Sequence, residues 1–490
     1  MASINIADSG ATNKEGTPLL TVERSEWWRT IGFFLLMALA GLEFYPALLL
    51  IVIWLAQRFR TDRYSFLVEF TIFLGGYGFI SANMLPFKMA DVALICGLVG
   101  ALIYRKNAAV KRISQASLLY IALVIGIALT SDESMRTQFI VMRNYFYFLY
   151  FFVPLIVFAD RTLDWQEFIH TVMVHVVVIC GFYAFDTYVI NGFVLVPSCG
   201  RVIDSFGVEH HSSIHGLWWA PLSMNWPRHY PNGLYWLGMC ILSITHRQIT
   251  FSRKQWIVVA LGLLSTRTFS LLASMLVCYA VFRSNAKQIL RYAIVSVVAL
   301  VTLYGVDHMV GGYMRVASTI DQFTSLSTAQ DAEDLAEFGS GRMAQIIPKW
   351  ELLTDLHRRT LGFGFLHPEL TTNPKYQIKN DLYTDIAHSE EVSTAVEVSQ
   401  IQTILDIGFL GLLIQTAFYV SICYIIRRMH HARVYACVLT AVSILGVGGF
   451  AGLNQREGLL LVGLALGVVL AYNKNLPSTD ETAENSAHTI

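Results

Sequence analysis

Apolar runs of about fifteen to twenty-five residues recur along the chain, and this recurrence restricts the fold more than any other feature. A helix of about 20 residues crosses the ~30 Å hydrocarbon core of a bilayer with its backbone hydrogen bonds satisfied internally. The main runs lie at about 31–56, 66–85, 89–104, 117–130, 139–158 and 170–190, then 234–244, 257–264, 269–282 and 292–304, and finally 403–426, 435–452 and 459–472. Hydrophobic residues make up 54% of the chain and charged residues 14%, with a mean hydropathy of +0.51, far from soluble usage. A membrane β-barrel would show short alternating segments instead. The expectation is an all-α polytopic membrane protein with about 12–14 transmembrane helices. The first run, broken by Gly41, Glu43 and Pro46, reads equally as one tilted span or as a helical hairpin.

Orientation follows from the Lys/Arg clusters, because short basic loops are retained on the cytoplasmic side. The clusters are Arg58–Arg63, Arg105–Arg112, Arg247–Lys254, Arg283–Arg291 and Arg427–Arg433, and an even number of runs separates each from the next. All five are therefore expected on one side. The predicted division is a cytoplasmic tail (1–30), helices (31–306) containing an outer loop (191–231), a large outer loop (307–402), which the resemblance described below makes periplasmic, C-terminal helices (403–472) and a cytoplasmic tail (473–490). Formal net charge is zero and supports no nucleic-acid partner. Of seven cysteines only Cys199 falls in an extramembrane loop, so no disulfide framework is expected, and the N-terminal stretch does not read as a removable signal peptide.

Four places on the expected outer side carry candidate chemistry. Arg267 lies in Ser265-Thr266-Arg267-Thr268 between two short apolar runs, where a cation near hydrocarbon is costly unless paired; a snorkelling arginine is the bland alternative, and the functional reading is set ahead because a cation on the outer face runs against the inside bias. Arg228 and Asn232 fall in Trp226-Pro227-Arg228-His229-Tyr230-Pro231-Asn232, beside tryptophans suited to an interfacial belt. Arg342 follows Gly341, ahead of an amphipathic helix expected through Ile346, Trp350, Leu353 and Leu356. A guanidinium holds phosphate oxygens in a bidentate fashion, and on the residues alone Arg342 reads as a solvated charge. His388, beside Glu390 and Glu391, has the chemistry of a general base, though a loop histidine is more often mere polar surface. His210, His211 and His215 lack ligand-spaced partners apart from Glu209, so no metal site is expected. Neither an Asp-x-Asp pair on the outer loops nor a Gly-x-x-x-x-Gly-Lys phosphate loop is present.

Ser340-Gly341-Arg342, Leu361-Gly362-Phe363-Gly364, His388 and Ile404-Leu405-Asp406-Ile407-Gly408-Phe409-Leu410-Gly411-Leu412 together resemble the O-antigen ligase and O-antigen polymerase superfamily. Ser265-Thr266-Arg267 is similar to that family's Ser-Arg turn, and Tyr230-Pro231-Asn232-Gly233 to its Asn-Pro-Asn segment. Ser389 departs from the asparagine that usually follows the histidine, and Glu390 stands in its place. The resemblance implies a bacterial inner-membrane glycosyltransferase with no cofactor. Its donor would be a polyprenyl-diphosphate-linked glycan and its acceptor another glycan or lipid-linked glycan, with membrane lipids and a chain-length regulator as further partners. Arg267 and Arg342, helped by Arg228, would hold the diphosphate, and His388 would take the acceptor proton in a single inverting displacement. A repeat-unit polymerase is favoured over a ligase that transfers to lipid A core. A flippase is the reading of another class, but it predicts internal repeats, and none is evident. A non-enzymatic scaffold would make all four places dispensable.

Overall fold

The computed structural model describes residues 24–41, 46–76, 91–103, 107–130, 135–185, 202–203, 209–210, 252–265, 269–283, 286–309, 355–365, 398–447 and 452–473, with single residues 320, 346, 350 and 353. Its elements are α1 (Arg24–Gly41), α2 (Pro46–Thr61), α3 (Arg63–Gly76), α4 (Asp91–Ile103), α5 (Ala108–Ala128), α6 (Met135–Met142), a 3₁₀ helix (Arg143–Phe151), α7 (Phe152–Val157) and α8 (Trp165–Phe185). They continue with α9 (Arg253–Ser265), α10 (Phe269–Arg283), α11 (Ala286–Met309), α12 (Leu356–Leu361), α13 (Ser399–Ile426), α14 (Ala432–Val447) and α15 (Arg456–Asn473). A two-residue antiparallel pair joins Val202–Ile203 to Glu209–His210.

The chain is an all-α membrane protein, and four of the described helices are long and apolar enough to cross a bilayer: α5, α8, α13 and α15. The first apolar run is two helices, α1 and α2, packed on each other. Proline at the start of α2 fits this break, because its ring is tolerated in a first turn and interrupts a helix elsewhere.

At the centre lies α15, buried continuously from Gly458 to Ala471. A helix apolar on all sides belongs inside a bundle, and α15 packs against the 3₁₀ helix, α7, α3 and α14. Small residues allow the closest approach: Gly463 and Gly467 of α15 lie against the backbone of Phe148 and Phe151, leaving no room for a Cβ. The 3₁₀ helix is nine residues long, whereas such runs seldom exceed four, and it stands in the middle of a span. At ~2.0 Å per residue it covers about 18 Å, longer than α-helix of equal length, and it fans four tyrosine and arginine side chains around its axis.

One end of the bundle collects the turn between α2 and α3, the turn between α7 and α8, the turn between α13 and α14, and the end of α15. Arg63 forms an ion pair with Asp160 and also donates to the Val157 carbonyl at 2.7 Å. His430 and Asn473 exchange hydrogen bonds at 3.1 and 3.0 Å, and Trp165 stacks on His431 at 4.1 Å. Two of the basic clusters expected on one side, Arg58–Arg63 and Arg427–Arg433, therefore sit at the same end.

Burial under Trp165, then the neighbouring His430, lowers the His431 pKa from 6.5 to about 4. The folded state disfavours the imidazolium, so this contribution to stability is complete above about pH 6.5 and is lost as pH falls towards 4. His431 has φ +62°, which asparagine tolerates. Thermal denaturation of His431→Asn in detergent is expected to depend less on pH between 6.5 and 4 than that of wild type. Parallel curves would remove this assignment.

Candidate functional site

The opposite end of the bundle holds the start of α13, the start of α15, the start of α4 and the first residues of the 3₁₀ helix. Two polar stations on the 3₁₀ helix form the site.

The first station is a lock between two glycine-bearing motifs. α13 carries a sharp kink at Gly408, with φ +69° and ψ −177°, a conformation open essentially to glycine alone. The kink interrupts the helical ladder, and the Leu405 carbonyl takes a hydrogen bond from Phe363 N–H at 2.6 Å instead. Gly362, at φ +83° and ψ −172°, crosses directly over it: a Cβ on Gly362 would strike the Asp406 carbonyl, and one on Gly408 would strike that of Thr360. The short α12 that delivers this turn is capped by Asp355, whose carboxylate accepts from Arg358 N–H at 2.7 Å. Leu353, Phe363, Ile404 and Leu405 form a small apolar core beneath it.

Next to the kink, Asp406 is 1% exposed. Its Oδ2 accepts from the Tyr145 hydroxyl at 2.8 Å and its Oδ1 from Gln402 Nε2 at 2.6 Å. Phe365 seats its ring against Tyr145 at 5.3 Å, so the loop turn, α13 and the 3₁₀ helix converge on one buried acid.

The second station is ionic. Asp91, which opens α4, accepts from Arg143 at 2.9 Å and from the Tyr147 hydroxyl at 2.9 Å. Arg456, which opens α15, pairs with Glu457, and both Arg143 and Arg456 lie within electrostatic reach of Tyr147. The Arg143 side chain is 15% exposed and that of Arg456 12%. The Nε of Arg143 is buried and makes no hydrogen bond among the described residues. Each guanidinium is paired with a carboxylate, so the station is neutral overall, and an anionic group would bind at this end of the bundle in exchange for Asp91 or Glu457.

Of the residues singled out in the sequence, Arg228, Asn232, Arg267, Arg342, His388 and Glu390 lie outside the described residues. The helices flanking Arg267 are described. At 13 and 15 residues, α9 and α10 are about 20 and 22 Å long, shorter than the ~30 Å core. Most of the amphipathic helix expected from Ile346 also lies outside, and the described α12 begins at Leu356, where that pattern ends. The structure does bring together Leu361–Gly364 and Ile404–Leu412, which the sequence separates by about forty residues. Sequence reasoning missed Arg143, Asp91, Tyr145 and Arg456. The available signal was Arg143 inside an apolar run, since an ionisable residue within a span is a functional candidate by default.

No protein-family model matches the chain, and no curated protein matches it.

Proposed function

We propose that this protein is a membrane glycosyltransferase. It moves a glycan from a polyprenyl diphosphate to an acceptor glycan at the outer face of the bacterial inner membrane, and it acts as a repeat-unit polymerase. The observation that carries this reading is the lock of the Leu361–Gly364 turn onto the Gly408 kink, next to a mouth holding Arg143 and Arg456. Those two motifs are among the four segments that resemble the O-antigen ligase and polymerase superfamily, and their contact seats the Leu361–Gly364 turn on the bundle.

The bundle offers apolar helix surface for a lipid tail, and the outer mouth offers cations for a diphosphate. In the proposed mechanism Arg267 and Arg342 take up charge developing on the leaving diphosphate, helped by Arg228, while Arg143 and Arg456 exchange their carboxylate partners for phosphate oxygens. Asn232 and Glu390 contact the sugars. His388 accepts the proton of the acceptor hydroxyl as its oxygen attacks the anomeric carbon. The C–O bond to the diphosphate breaks in the same step, with inversion. In this reading the large loop would keep out water that would hydrolyse the donor. The absence of an Asp-x-Asp pair on the outer loops supports a clamp made of arginines.

The test is glycan transfer by purified protein reconstituted with a polyprenyl-diphosphate-linked repeat unit. Arg342→Ala and Arg143→Ala are each expected to lower turnover about a hundredfold or more, with membrane insertion intact. Full turnover in both would end the clamp reading. Chain-length profiles of cells lacking the protein separate the acceptors, since accumulated single repeat units support a polymerase and long lipid-linked chains a ligase.

A further inference from the structure

A second ionic cluster lies away from that mouth, in the half of the bundle that the Lys/Arg bias assigns to the cytoplasm. Glu69 of α3 and His175 of α8 are both 0% exposed, and Arg58 of α2 is 3% exposed. Buried ionisable groups inside apolar spans are costly unless mutually satisfied. The Glu69 carboxylate accepts from Trp54 Nε1 at 2.9 Å and from Arg58 at 3.3 Å. His175 Nε2 faces the same Glu69 Oε1 at 3.4 Å. Its other ring nitrogen, Nδ1, lies 2.8 Å from the Thr171 carbonyl, which only accepts, so Nδ1 carries a hydrogen and donates.

This arrangement has one consequence for Nε2. Without a further proton, a lone pair on Nε2 would point at a carboxylate oxygen, two acceptors in contact inside the membrane. A proton on the Glu69–His175 line turns that repulsion into a hydrogen bond. Charge leads to the same conclusion. Arg58 is also paired with Asp62 at 3.4 Å, so Arg58, Asp62 and Glu69 together carry one net negative charge, and one added proton neutralises the group. Neutrality matters most where water is excluded.

We propose that Glu69 and His175 form a proton-binding site, and that the bound proton clamps α3 to α8. The other ionisable groups near it lie towards the helix ends. Glu26 of α1 faces His170 at 3.9 Å, Glu167 of α8 stands near Asp62 and Asp164, and the Tyr64 hydroxyl of α3 accepts from Asp164 N–H. Glu167, Thr171 and His175 fall at successive four-residue steps of α8 and make a polar stripe from its first turn to the site. The ring of Phe34 from α1, 6.3 Å from that of His175, packs against its other side. The stripe begins in the first turn of α8, which suits a site that exchanges its proton at that end of the bundle.

The site is read by nitrogen magnetic resonance of the full-length protein in lipid nanodiscs, labelled at its 14 histidines, at pH 7.5. The expected result is one histidine with both ring nitrogens protonated, lost in His175→Gln and converted to a single-proton ring in Glu69→Gln. Because a shared proton also has a form resident on the acid, infrared spectra of wild type and Glu69→Gln accompany it. A protonated-carboxyl band that Glu69→Gln removes supports the site equally. Should His175→Gln fail to fold, Glu69→Gln alone decides, since its amide keeps the shape of the acid without the charge. Wild type showing neither a doubly protonated ring nor such a band, or showing both signals unchanged in Glu69→Gln, overturns the proposal.

Discussion

Replacing Gly408 with alanine is expected to be among the most damaging single-methyl additions in this protein. Its φ of +69° with ψ −177° lies where a Cβ costs about 1–3 kcal/mol in backbone strain alone. That Cβ would also overlap the Thr360 carbonyl and crowd Gly362 N, and neither can yield, because both are backbone atoms of the turn seated there. The lock must open or α13 must straighten. Either way Phe363 N–H loses the Leu405 carbonyl. Thermal denaturation in detergent is expected to fall by roughly 5 °C or more, with glycan transfer lost under the proposed function. Gly126→Ala is the control: no atom lies within 4 Å of its Cβ position in α5, and alanine is the better helix former by about 0.5–1 kcal/mol. Equal stability of the two variants would mean the crossing of Gly362 and Gly408 does not exist in the bilayer.

Removing the Asp406 carboxyl should be comparably costly. Asp406→Ala leaves the Tyr145 hydroxyl and the Gln402 amide without this acceptor at a site sealed from water. Loss of this acceptor at a buried site is expected to cost about 1–3 kcal/mol. Tyr145→Phe in the wild-type background loses the hydrogen bond to Asp406, and on Asp406→Ala it should cost less by about 1 kcal/mol, since that bond is already gone. A double-mutant cycle of unfolding in detergent measures this coupling. If Tyr145→Phe costs the same in both backgrounds, the two side chains are not bonded, and the 3₁₀ helix is not tied to α13 through them.

Several features were legible before any coordinates. Helical class followed from the length of the apolar runs, because a bilayer leaves an unclosed chain little choice but helix. The shared side of Arg58–Arg63 and Arg427–Arg433 followed from counting runs, and Arg63 with Asp160 and His431 with Trp165 bring those turns to one end. Leu361–Gly364 and Ile404–Leu412 stood out as glycine-bearing segments. Their glycines proved to share one crossing, a relation that local pattern does not carry.

Other features had no local signature. The run from Phe139 to Phe158 reads as one uniform helix, yet it is α-helix, then nine residues of 3₁₀, then α-helix again. Glycines on its neighbours, at positions 97, 100, 463 and 467, accommodate that segment, and they come from distant parts of the chain. Glu69 and His175 were visible as polar residues within apolar runs, but which residues they faced was not. The ring of His175 acquires its donor and acceptor roles from Thr171 on its own helix and Glu69 on another.

By itself, then, the sequence determined the solvent. Its long apolar runs commit the chain to helices in lipid, because hydrocarbon penalises unpaired backbone wherever it occurs. Only the tertiary structure decided which charges meet. Ion pairs and hydrogen bonds act over a few ångströms, so Arg143 with Asp91, Tyr145 with Asp406 and Glu69 with His175 exist as pairs only after α3, α4, α8 and α13 have been packed together.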